Sequence, residues 1–214
     1  MRLRRTNKRN GALTLVEVVV AIVALAVIVA LILPMLAYTP HCGSPNCASN
    51  LKQIGLAFRV WEGDNDNHYP MKGFTNVLGI TEPAGTTNVF RYFYAMSNEL
   101  SPKELVCPAD KRVAAASFPL LSNSNISYFV GLDADETQPN MLLAGDRNLV
   151  LNDAEVRAGL VTLSPASRVG WSGKMHKGLG YVCLADGSVQ QVTSAGLQQL
   201  LANSGTNVNR LAVP

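Results

Sequence analysis

The chain has 214 residues, 48% of them hydrophobic, with 18 Lys and Arg against 15 Asp and Glu. Five of the basic residues and none of the acids fall in the first twelve positions, so the rest of the chain is net acidic by two and offers no basic patch for nucleic acid. Setting aside a leader and one long apolar helix leaves roughly 180 residues, enough for one domain with its own core.

The leader carries Arg2, Arg4, Arg5, Lys8 and Arg9. Residues 13–33 follow as an apolar run broken only by Thr14 and Glu17. A helix of about 21 residues at about 1.5 Å each covers about 31 Å, the thickness of a bilayer core. The basic flank stays cytoplasmic, which places the remaining chain outside. A secretory signal peptide has a shorter apolar core, about 7–15 residues. Glu17 stands out, because a carboxylate inside a membrane helix is costly by up to a few kcal/mol and calls for a partner charge. The run holds no Lys or Arg, so that partner comes from elsewhere.

The order of basic leader, small residue, Leu13-Thr14-Leu15-Val16-Glu17 and long apolar helix resembles the N-terminus of type IV prepilins and of the pseudopilins of type II secretion. The resemblance implies a prepilin peptidase that cuts on the cytoplasmic side and N-methylates the new first residue. It also implies that the glutamate at the fifth mature position pairs with the N-terminal amine of a neighbouring subunit. Counting back from Glu17 puts the cut between Ala12 and Leu13. The family usually has glycine before the cut; here Gly11 is one place early, and a cut there would make Glu17 the sixth residue. The chain then divides into a leader (1–12), a transmembrane helix (13–38), a linker (39–46) and a periplasmic pilin-like domain (47–214). The expected fold is α+β, an amphipathic helix packed on an antiparallel sheet.

In chain order, Pro34 is a kink that a membrane helix tolerates, Tyr38 suits the outer interface, and residues 39–45 hold two prolines and a glycine, a break. Leu51, Ile54, Phe58 and Trp61 recur at helical spacing, predicting a helix over 47–61 capped by Ser49 or Asn50. Residues 47–70 are similar to a block in pseudopilin-like proteins of the Verrucomicrobia and Planctomycetes type. Asp64 and Asp66 resemble the start of a calcium loop but lack its glycine and glutamate, which favours a solvated turn. Residues 71–88 read as loop with a short strand at 76–80, and the aromatic cluster at 90–94 reads as core. Leu105-Val106-Cys107 reads as a short strand stopped by Pro108.

Residues 127–137 and 141–148 each read as a strand ending in polar turn residues. Their acids, Asp133, Asp135, Glu136 and Asp146, cap turns, or gather around a cation if the strand ends meet. Strands are expected at 168–171 and 181–185, with Asp186-Gly187 as a hairpin turn returning along 189–192. His176, nine residues before Asp186-Gly187, completes an element similar to the His-x9-Asp-Gly of the same pseudopilin-like proteins. Ser194 is the expected cap of a last short helix carrying Leu197, Leu200 and Leu201, with Gly205 beyond it.

Four cysteines, Cys42, Cys47, Cys107 and Cys183, lie beyond the apolar helix and allow three full pairings. Cys42 and Cys47 are closely spaced, but no second close pair follows to complete a zinc site. The family resemblance implies a Cys47–Cys107 disulfide, leaving Cys42 and Cys183 to pair or Cys183 as a buried thiol. His176 and Asp186 also suit acid–base chemistry, yet no nucleophile stands in a recognisable setting. The turn accounts for Asp186, and His176 is expected to bond to the hairpin or a loop backbone.

The resemblance thus implies a structural, non-enzymatic subunit of a type II secretion pseudopilus or type IV-like filament, single-pass in a bacterial inner membrane. Its partners are prepilin peptidase and other pseudopilin subunits, with no cofactor. The alternative is a membrane-tethered periplasmic binding module that forms no filament.

Overall fold

The computed structural model describes residues 15–36, 45–75, 81–82 and 85–214, with side chains given over 15–29, 46–73 and 85–214. The chain forms two compact units, Met1–His41 and Cys42–Pro214. The first contains helix α1, Leu15–Leu36. Among the described residues no helix is long and apolar enough to cross a membrane. The described side chains of α1 cover 15–29, roughly 22 Å of helix, while its backbone continues to Leu36. The expected break and linker fall mostly on 37–44, outside the described residues, as do Tyr38, Cys42 and the strand expected at 76–80.

The second unit is a mixed α+β domain with antiparallel sheets. It opens with α2, Pro45–Asp64, two residues earlier than the apolar stripe predicts. Asn50 does not cap it; its side-chain amide donates to the Val106 carbonyl at 3.0 Å. α2 is followed by a small pair, β1 (Phe74–Thr75) and β2 (Thr81–Glu82), and by α3, Val89–Ala95. The main sheet has six strands in the order β10-β9-β4-β3-β11-β7, all neighbours antiparallel. These are β3 (Tyr128–Gly131), β4 (Leu142–Asp146), β7 (Gly159–Leu163), β9 (Gly180–Leu184), β10 (Val189–Val192) and β11 (Asn209–Val213). A second sheet joins β6 (Ala154–Glu155), β5 (Leu149–Leu151) and β8 (Val169–Trp171), and α4 spans Ser194–Ala202.

The central strands are buried on both faces, which is why they read as continuous apolar runs. Along β9, Tyr181 and Cys183 point into the core under α2, while Val182 and Leu184 point into the core under α4. Cys47, Leu51, Ile54 and Phe58 bury the inner stripe of α2 completely. Gly55 lies on that stripe because a Cβ there would come 2.7 Å from Cys183 Sγ. Phe58 meets Tyr69 and Phe93 edge-on, with centroids 5.8 and 6.2 Å away. Tyr92 and Phe93 of the aromatic cluster are core residues.

Three local readings change. Residues 105–107 form no strand: the N–H groups of Leu105 and Val106 close turns on the Pro102 and Lys103 carbonyls at 3.3 and 3.4 Å. Side chains pin that irregular segment. Arg147 makes two bonds to Asp110 (2.7 and 2.8 Å), and Arg112 donates to the carbonyls of Asn123, Ile126 and Pro214. The cap of α4 is Thr193, whose Oγ1 accepts from Gly196 N at 3.1 Å, while Ser194 Oγ accepts from Trp171 N at 3.0 Å. Finally, β11 enters the sheet between β3 and β7 beyond the last helix, where no element was expected.

Candidate functional site

The candidate residues lie in two places, one in each unit. In the first, every described side chain of α1 is exposed, from Leu15 (81%) to Val29 (47%). A helix apolar on all sides requires a nonaqueous surround or a bundle of like helices. Its one acid, Glu17, is exposed and lies in the first turn, where the helix N–H groups favour negative charge. Ala12 and Leu13, the expected processing pair, lie outside the described residues.

The second place is a buried corner of the domain. Cys47, in the first turn of α2, is joined by a disulfide to Cys107, 60 positions further along the chain, with Cα atoms 5.2 Å apart. His176 packs on it, Nε2 3.1 Å from Cys107 Sγ, with its ring edge-on to Tyr181 at 5.0 Å. The acid beside His176 is Asp146, Oδ2 3.5 Å from Nε2. That carboxylate also accepts from Tyr181 N at 2.7 Å. Both groups are displaced from their ordinary ionisation. Burial pushes Asp146 up to about 7 against the opposing Tyr181 N–H bond, and burial pushes His176 down. His176 and Lys177 both have positive φ, 49° and 54°, a costly conformation for side chains of this size. The Asn148 amide helps hold the preceding loop by donating to the Ser172 carbonyl at 3.0 Å.

The His-x9-Asp-Gly element therefore divides its labour. Asp186 is exposed and accepts from Ser188 N at 2.8 Å, and Gly187 takes the positive φ of 82° that the turn needs. His176 contacts a sulfur and a carboxylate instead of the backbone expected for it. Asp133 pairs with Arg210 and Asp135 with Lys72. Asp146 pairs across the sheet with Tyr128 at the start of β3, whereas Asp133 lies past that strand's end. The strand ends thus do not bring these acids together. Cys183 is a free, buried thiol, its ionisation pushed up to about 12 by burial.

Over 140 residues the chain is 25% identical to the type IV major pilin protein PilA of Myxococcus xanthus (strain DK1622), an alignment covering 65% of this chain and 60% of that protein. The chain is type IV pilin-like. No family model matches it, and no solved structure matches it. The chain spans about 60% of the length of the pilin it matches. In this pilin-like chain the apolar helix with its early acid and the helix-on-sheet domain occur in one order, as separate compact units.

Proposed function

We propose that the chain is a non-enzymatic filament subunit, built into a type II secretion pseudopilus or a related type IV filament. The observation that carries this reading is Glu17, a single carboxylate on a helix whose described surface is otherwise apolar and exposed. In this reading α1, with Leu13 and Thr14 ahead of it, spans the inner membrane with the basic leader cytoplasmic and the domain periplasmic. Prepilin peptidase removes residues 1–12, and Leu13 becomes the N-methylated first residue. Glu17 then meets the N-terminal amine of a neighbouring subunit. A charge pair in a dry helix bundle is strong only when both partners are present, so it sets the register at which copies stack. The match to a major pilin supports this reading.

Mass spectrometry of the protein from a host with an active prepilin peptidase tests the processing step. The expected product begins with N-methyl-leucine at position 13; a retained leader reduces the chain to a tethered binding domain. Glu17→Ala is expected to be processed normally and to be lost from filaments. Normal incorporation of that variant would refute the pairing.

A further inference from the structure

The donor atoms of Cys47, Cys107 and His176 all lie within 4.8 Å of one another, and all three residues are buried. A fourth donor adjoins them. Asp146 Oδ2 is 3.5 Å from His176 Nε2, and its Oδ1 is buried without a hydrogen-bond partner. Two thiolates, an imidazole and a carboxylate suit a borderline-soft, redox-inert divalent ion that prefers four ligands. Bonds of about 2.3 Å to sulfur and about 2.0–2.1 Å to nitrogen and oxygen place neighbouring donors of a tetrahedral site roughly 3.3–3.8 Å apart. The 3.1 Å between Cys107 Sγ and His176 Nε2 and the 3.5 Å between His176 and Asp146 are already close to that spacing. The two sulfurs must separate, because they are bonded to each other, and the Asp146 carboxylate, which lies beside His176 but outside the 4.8 Å group, must turn toward them.

We propose that the dithiol form of this domain carries a zinc site made by Cys47, Cys107, His176 and Asp146, so that disulfide and zinc are alternative occupants of one corner. A dithiol-class reductant supplies two electrons and two protons. The S–S bond breaks, two thiols form, and the reductant becomes a disulfide. Zn2+ then displaces the two thiol protons and bonds both sulfurs. In the reverse direction a disulfide-class oxidant accepts two electrons from the thiolates and two protons from water, becoming a dithiol, while the protein S–S bond reforms and Zn2+ leaves. The position of Cys47 in the first turn of α2 favours its thiolate. Either occupant ties α2 to the segment around Cys107, so the fold keeps its brace in both redox states.

The test uses the full chain in detergent micelles, stripped of metal and reduced without air by a phosphine, which does not compete for zinc as a thiol would. Titration with Zn2+ against a chromophoric chelator is expected to give one equivalent per chain with a dissociation constant below about 1 μM, and none in the oxidised protein. Co2+ in place of zinc should show sulfur-to-cobalt charge transfer and the strong visible bands of tetrahedral coordination. His176→Ala and Asp146→Asn should each weaken binding at least tenfold, while Cys42→Ala and Cys183→Ala leave it unchanged. If reduction unfolds the domain, zinc should restore its native circular dichroism, since binding then drives folding. Reduced protein that takes up no stoichiometric zinc, folded or unfolded, overturns the proposal. So does equal binding by Cys107→Ser, or a cobalt spectrum without sulfur charge transfer, which marks an adventitious ion only.

Discussion

Asp146 and His176 respond to pH in opposite directions, and each direction follows from burial. Asp146 is raised, so the folded chain keeps a proton that the unfolded chain gives up. Its contribution to stability is whole below about pH 4 and is withdrawn as pH rises toward 7. His176 is lowered, so the unfolded chain takes up a proton that the folded ring resists, and its contribution is lost as pH falls through about 6.5. Comparison with Asp146→Asn isolates the first effect. The unfolding free energy of the wild type relative to that variant is expected to fall between pH 4 and 7, by at most about 1.4 kcal/mol per pH unit, in urea titrations at stepped pH. A difference that stays flat would mean that Asp146 does not titrate in this range. Sequence alone points His176 to the hairpin or a loop backbone and does not reach Asp146, because that acid lies far from it in the chain. Asp146 is legible as the acid ending an otherwise apolar run, Leu142-Leu143-Ala144-Gly145-Asp146, but there it reads as a turn residue, whereas it is the last residue of a strand buried along its whole length.

At the scale of elements, α2 is the piece on which the domain is packed, and Phe58 is its most enclosed aromatic side chain. Phe58→Ala is expected to cost about 3–5 kcal/mol and Phe58→Leu much less, read from denaturant midpoints at unchanged slope. This helix was legible because its apolar spacing repeats over four turns, and the β9–β10 hairpin because Asp186-Gly187 dictates a turn. Other elements lacked such local marks. β11 is held by partners far away in sequence, with Leu211 opposite both Gly131 and Val161. Leu105 and Cys107 are buried in a segment held by a disulfide and side-chain bonds, so burial there does not signify a ladder. The β5–β6 hairpin did carry a signal, since Asn152 and Asp153 both take positive φ, as a two-residue turn requires.

For the whole molecule, the division into two units separates tasks physically. The first unit exposes an apolar helix, and the second has a closed core on both faces of its sheet. A chain beginning at Cys42 is expected to stay in the aqueous phase of a detergent partition experiment and to unfold at the same temperature as the intact protein. The intact protein should enter the detergent phase. The bridge between Cys47 and Cys107 has a mechanical side as well. Traction arriving along the chain from the N-terminal unit enters the domain at α2, almost at once meeting a covalent clasp. The 60 positions it encloses, about 200 Å of extended backbone, stay locked away from the load however far the rest of the domain is pulled apart. In single-molecule stretching the oxidised domain should therefore lengthen by about 200 Å less than the reduced one, and a subunit under tension would yield only where its thread is still free to run.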